Sequence, residues 1–335
     1  MTTSDVAVNI SANSYFNNPT ASNDRLDDSF AKIDWQAPWL CHLNQLNPIS
    51  KTIRQLSDVN TVAPQIDRCK NEPDVIAHVL TEALKQQSER SQVALPTTKP
   101  MLNHQAQPLT FVSQNALPEG EAYESFIANS GNIPTRNNLH DLFNGSIWLT
   151  FPKTKALLNY YHMCEIAEQG IGASRGRVRD TITVFDENGA VLVTADPSIG
   201  KALVDFNWQK SLVEPRSLWD NPRLPDKKAQ AAVYIFGHAL LEQLVTPRKP
   251  LCAHSLVIDV SQDFFTLSLS ARMQYLDNKL AQYMDELLSQ GDVTPRKLAP
   301  LPILGVPHFW AENINSEFYE DSYVFRSGRR RAHSS

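Results

Sequence analysis

Between residues 226 and 245 the chain has almost no polar face: Ala231, Val233, Ile235, Phe236, Ala239, Leu240, Leu241, Leu244 and Val245 spread around the circumference of a helix that Asp226 can cap. A helix that is apolar nearly all round is buried. This one nevertheless carries His238 and Glu242, one turn apart and therefore on one side. A carboxylate taken out of water needs a cation, a proton or a metal beside it. His254 follows the turn Pro247-Arg-Lys-Pro250 and is placed to fold back on this stripe. Two imidazoles and a carboxylate are the ligand types of a catalytic divalent metal centre, which makes His238, Glu242 and His254 a candidate metal set. The spacing is not HExxH, and a buried His–Glu hydrogen bond is the competing explanation.

A second constellation is His140, Asp141 and Asn144, in a helix that Asn137 or Asn138 caps and that runs to about Thr150 before Pro152 breaks it. His140 and Asn144 share a side at the border of the apolar face, with Trp148 next on the same ridge. The chemistry available there is a histidine acid/base or ligand with an asparagine orienting it; the alternative is a polar pair that ties down a loop. A third is the run Arg175-Gly-Arg-Val-Arg179. If it is extended, Arg175, Arg177 and Arg179 point one way about 6–7 Å apart and form an anion site; salt bridges on an exposed strand are the alternative. Lys153 and Lys155 lie in the first turn of a helix, where positive charge is mildly unfavourable, so Lys153 joins the candidate anion-binding residues.

The chain has 335 residues with 31 basic and 36 acidic side chains, a formal charge of -5. With a pI of about 6.0 there is no overall basic field, and the main body is not expected to bind nucleic acid. No window approaches the roughly 20 apolar residues of a membrane helix, and the start, Met1-Thr-Thr-Ser-Asp5, lacks the basic and apolar regions of a secretory signal. The expectation is a cytoplasmic protein with no membrane partner. Cys41, Cys69, Cys164 and Cys252 form no CxxC and read as reduced packing residues.

Composition divides the chain into a disordered arm (1–28), an N-terminal helical region and linker (29–110), a main domain (111–326) and a basic tail (327–335) that holds Arg329, Arg330 and Arg331. Helices are predicted over 73–89, 122–129, 153–169 (closed by Gly170), 198–208 and 262–289, and a strand over 255–260. Residues 178–194 alternate on either side of 186–189 and predict a β-hairpin. The aromatic-rich stretch 295–325 predicts an irregular strap over the core. The fold class is α+β, mainly helical, with a small antiparallel hairpin or sheet region.

The segments Pro134-Thr-Arg-Asn-Asn-Leu-His140-Asp-Leu-Phe-Asn144, Ile147-Trp148, Phe151-Pro-Lys153, Leu158-Asn159, Arg175-Gly176, Arg179-Asp180, Phe185-Asp-Glu-Asn188, Phe236-Gly-His-Ala-Leu-Leu-Glu242, Pro247-Arg-Lys249 and Leu304-Gly-Val-Pro307 together resemble a proteobacterial family designated domain of unknown function 3025. The resemblance covers roughly residues 115–326 and implies a fold unit without an activity. Asn137 stands where that pattern has Asp, which removes a carboxylate from the position.

Two functions fit these observations. One is a hydrolase or phosphoester-handling enzyme, with His140, Asn144, His238 and Glu242 in catalysis. In it Arg175, Arg177, Arg179 and Lys153 hold an anionic small molecule, and a divalent metal is the candidate cofactor. The other is a non-catalytic binding or assembly protein in which the same polar clusters are structural.

Overall fold

The computed structural model describes residues 26–43, 48–57, 74–94, 103, 105–169 and 176–328. Nearly all of the predicted arm, half of the stretch 91–108, Cys69, the helix stop at Gly170, Arg175 and the arginines of the tail lie outside the described residues.

The fold is α+β. In chain order it comprises helix α1 (Pro48–Ser57), α2 (Val75–Ala94), strand β1 (Thr110–Ser113), α3 (Tyr123–Ser130), β2 (Asn132–Thr135), α4 (Leu139–Thr150), α5 (Pro152–Gln169), α6 (Arg177–Asn188), β3 (Gly189–Thr194), α7 (Pro197–Val204), β4 (Ala231–Ile235), α8 (His238–Gln243), β5 (Cys252–Asp259), α9 (Leu269–Leu288) and β6 (Ala299–Pro302). Strands β1 and β2 form a small parallel pair. The main sheet has the order β4-β3-β5-β6 and is mixed: β3 runs antiparallel to β4 and parallel to β5, and β6 runs antiparallel to β5.

Two predicted elements are corrected. Residues 178–188 are not the first strand of a hairpin but helix α6, which turns Val178, Thr181, Ile182 and Phe185 inward at helical spacing. Residues 226–245 are not one helix. The apolar run is first a strand, β4, buried at every position, and then, after Gly237, the short helix α8. An interior strand covered on both faces reads as a continuous apolar run, so it lacks the alternation that separates strand from buried helix. The long predicted helix 262–289 divides as well, into a 3-10 turn (Gln262–Thr266) and α9.

Helix α4 is the hub. Asn138 caps it by accepting the Asp141 backbone N–H at 2.8 Å, and Phe151 and Pro152 end it. Of its residues only His140 and Asn144 escape full burial, so its one partly open edge is the edge that carries chemistry. Helix α5 starts directly behind it and is capped from α9: the Asp277 carboxylate accepts the backbone N–H groups of Lys153 and Thr154, each at 3.0 Å. Asn137 does not face the site. Its side-chain oxygen accepts the Ile76 N–H at 3.0 Å in the first turn of α2.

Candidate functional site

A close approach of two glycines builds the site. Gly189 starts β3 and Gly237 stands between β4 and α8, and the Gly189 carbonyl accepts the N–H groups of both Phe236 (2.9 Å) and Gly237 (2.8 Å). A Cβ on Gly237 would lie 2.4 Å from the Gly189 nitrogen and 2.6 Å from Asn188 backbone atoms, so only glycine fits there. This contact sets the end of α6, with Asp186 and Glu187, against the start of α8, with His238. Phe185 stacks on Phe236 beneath the junction, ring centroids 4.8 Å apart.

On this platform α4 brings His140. Its Nε2 lies 3.0 Å from His238 Nε2, with the rings edge to face. Glu187 Oε2 lies 3.4 Å from the same His238 nitrogen. His140, His238 and Glu187 each offer a ligand atom within 4.8 Å of the other two. Behind the ligand edge, each imidazole turns Nδ1 toward a carboxylate. His140 Nδ1 is hydrogen-bonded to Glu242 Oε2 at 3.1 Å, and His238 Nδ1 faces Asp186 Oδ2 at 3.9 Å. Asp186 is itself held by Lys155, whose ammonium donates to both of its carboxylate oxygens at 2.6 and 2.9 Å and to Asn144 Oδ1 at 2.9 Å. Asn144 in turn donates to the Tyr123 hydroxyl at 3.1 Å.

The site has a dry floor and a wet rim. The side chains of His238 and Lys155 are 5 % and 6 % exposed, whereas those of His140, Glu187 and Glu242 are 32 %, 36 % and 42 % exposed. The electrostatics follow. Burial pushes the His238 imidazole down to about 3, whereas the hydrogen bond to Glu242 raises that of His140. Burial raises the Glu187 carboxyl, helped by the Asp186 charge beside it. Burial pulls Asp186 the same way, but Lys155 and His238 outweigh it and hold this carboxyl below its usual range.

The family described as "Protein of unknown function (DUF3025)" matches residues 109–329, about two thirds of the chain. The chain belongs to this family. None of the curated proteins and none of the solved structures compared with the chain matches it. Every side chain of the cluster lies within the DUF3025 segment.

The sequence-predicted residues of the DUF3025 domain divide. His140, His238 and Glu242 come together, and Asn144 joins them through Lys155. His254 does not: it sits on β5 opposite Gly189 and Pro300 and offers no ligand atom to the cluster. The metal-type set is therefore His140, His238 and Glu187, not His238, Glu242 and His254; Glu242 stands behind His140 instead. The arginine comb is not formed by the two arginines that are described, because both lie on α6, where residues two apart point to different sides. Arg177 pairs with Asp292 at 2.7 Å on the exposed surface, and Arg179 has its Nε buried without a hydrogen bond among the described residues. Lys153 points away toward Asn278 of α9. Glu187, Asp186 and Tyr123 were not among the expected site residues. The signal for the first two lay in Phe185-Asp-Glu-Asn188, which reads as a solvated turn if 178–194 is a hairpin and as the inner end of a helix if it is not.

Proposed function

We propose that this protein is a hydrolase whose reacting water sits where His140, His238 and Glu187 converge. The observation that carries the reading is the meeting of two Nε2 atoms and a carboxylate oxygen, drawn from three separate helices, at the border between a dry floor and solvent. A group bound there is polarised on one side by the protein and reached by substrate from the other. The Glu242 carboxylate behind His140 fixes the orientation of that imidazole, as a hydrolytic centre needs, and burial confines His238.

A phosphoester or another anionic ester is the substrate class favoured by the rim. Arg136 takes the place expected of the arginine comb. Its guanidinium donates Nε and Nη2 to the buried carboxylate of Asp141 at 3.0 and 2.9 Å, which holds the fork in one orientation. The side chain remains 55 % exposed and lies within electrostatic reach of Glu242. Its remaining donors are available to an anion.

The test is a panel of chromogenic phosphomonoesters, phosphodiesters and carboxylic esters, with His140→Ala and Glu187→Gln compared with the wild type and folding followed by circular dichroism. The expected result is turnover of at least one anionic ester, reduced about 100-fold or more in both folded variants. No turnover on any substrate, or equal turnover in the variants, would return the cluster to the status of a structural network.

A further inference from the structure

We propose that the cluster is a mononuclear site for a divalent transition-metal ion of the zinc class, bound by His140 Nε2, His238 Nε2 and Glu187 Oε2. The proposal deepens the hydrolase reading and rests on it only for the use made of the ion.

Three observations lead there. The first is the direction of the lone pairs. Glu242 is hydrogen-bonded to Nδ1 of His140 and favours the proton there; Nδ1 of His238 is buried without a hydrogen-bond partner among the described residues and faces the Asp186 carboxylate at 3.9 Å. Both Nε2 atoms then present lone pairs to each other across 3.0 Å, with the Glu187 oxygen 3.4 Å from one of them. Electron pairs gathered this closely call for a shared proton or a metal ion between them. The second is scale. Ligands about 2.0–2.1 Å from a tetrahedral ion stand about 3.3 Å from one another; the two distances made by His238 Nε2, 3.0 and 3.4 Å, are already of this size, and the partly exposed Glu187 side chain has to swing toward His140, whose Nε2 lies within 4.8 Å of its oxygen, to close on an ion. The third is charge. Asp141 is answered by Arg136 and Asp186 by Lys155, which leaves Glu187 and Glu242 as the two carboxylates without a basic partner of fixed charge. A divalent ion neutralises that pair.

The donor set selects the ion. Two imidazole nitrogens and one carboxylate oxygen suit zinc and its first-row neighbours rather than magnesium or calcium, which prefer oxygen alone. Three protein ligands with a partly exposed rim leave a fourth position for water, the arrangement of a catalytic rather than a structural site. Glu242 is the positioning residue: it touches His140 on the far side from the ion and fixes its tautomer and ring plane.

The experiment uses the full-length chain without a histidine tag, stripped by a chelator and titrated with Co2+ alone while visible absorption is recorded, with Zn2+ and Mg2+ as competitors. One equivalent of Co2+ should bind with the intense absorption of a four- or five-coordinate ion; Zn2+ should displace it and millimolar Mg2+ should not. Glu187→Gln, at a partly exposed position, and His140→Ala should each weaken binding about 100-fold or more, and Glu242→Gln about 10- to 100-fold. No saturable binding, or an unchanged affinity in Glu187→Gln, overturns the proposal. Hydrolysis that persists undiminished in stripped protein with excess chelator overturns the use of the ion in the reaction and leaves the hydrolase reading standing. Stoichiometric binding with the expected losses but no turnover on the ester panel supports the metal site and removes the hydrolase.

Discussion

His42 couples a single side chain to the acid stability of the whole chain. It is 3 % exposed, its Nε2 lies 2.8 Å from the Ile235 carbonyl at the end of β4, and it packs edge-on against Tyr234. Burial pushes its imidazole down to about 4, against the upward pull of the Ile235 hydrogen bond. An unfolded histidine titrates near ~6.5, so below that pH the unfolded chain takes up a proton that the folded one refuses until about 4. Stability from this group is complete above pH ~6.5 and falls as the pH drops toward ~4, by about 3 kcal/mol in all. Denaturant melts at pH 7 and pH 5 should show a smaller loss for His42→Gln than for the wild type; equal losses would assign the acid sensitivity elsewhere. Lys155 makes the second prediction at this scale. Lys155→Met strands Asp186 beside His238 and should cost about 3 kcal/mol, and adding Asp186→Asn should restore part of it, because a lone buried charge costs more than a missing pair. Thermodynamic melts of the single and double variants measure both. His238 was legible in the sequence because a titratable group buried on an apolar element demands a partner; Glu242, expected to be buried beside it, instead stands 42 % exposed and joins the site through His140. Glu187 was not legible, because its demand is hidden until its segment is known to be helical.

Elements explain where sequence reading succeeds and fails here. The helix boundaries of α4 and α5 follow from Asn138 and Pro152 and are chemically local. Helix α6 is not local in that sense. Its run Thr181-Ile-Thr-Val184 is β-branched and alternates, while Val178, Ile182 and Phe185 also fit a helix. Packing against β3 and β5 resolves the conflict in favour of the helix. Misreading α6 displaced Arg177 and Arg179 and concealed two carboxylates at once. The split of 226–245 depends on one residue, Gly237, and Gly237→Ala is the corresponding test. The added methyl group must push the ends of β3 and β4 apart and carry His238 with them. The expected cost is about 1–3 kcal/mol of stability, with weaker Co2+ binding at the cluster. A variant as stable as the wild type, with unaltered binding, would show that the glycine contact does not set the site.

At the scale of the molecule one hydrophobic core extends from Phe30 to Phe325. The first described segment reaches the last through Trp39 and Phe309, ring centroids 6.3 Å apart. The strap predicted for 295–325 is corrected in part: Ala299–Pro302 is strand β6 of the main sheet, and the remainder takes short 3-10 turns against the core. Lys249 pairs with Asp321 at 3.1 Å and stands 4.3 Å over the Phe318 ring, and Trp208 donates to the Arg326 carbonyl at 2.8 Å. Aromatic density made the aromatic part of the strap legible; the order β4-β3-β5-β6 was not, because pairing between residues 37 to 65 positions apart leaves no local trace. No helix among the described residues is long and apolar enough to cross a membrane. Strand β3 is buried at all six positions and paired along both edges. In deuterated solvent its amides should therefore be the slowest in the protein to lose their protons, opening only when the entire fold opens, while those of α8, a helix of six residues, exchange earlier. Glu187 is joined to the slow strand through Asn188, whereas His238 and Glu242 ride on the faster helix. The cluster thus has an anvil and a hammer: one jaw keeps its place while the other can breathe, and release of whatever is held between them is timed by the lighter jaw.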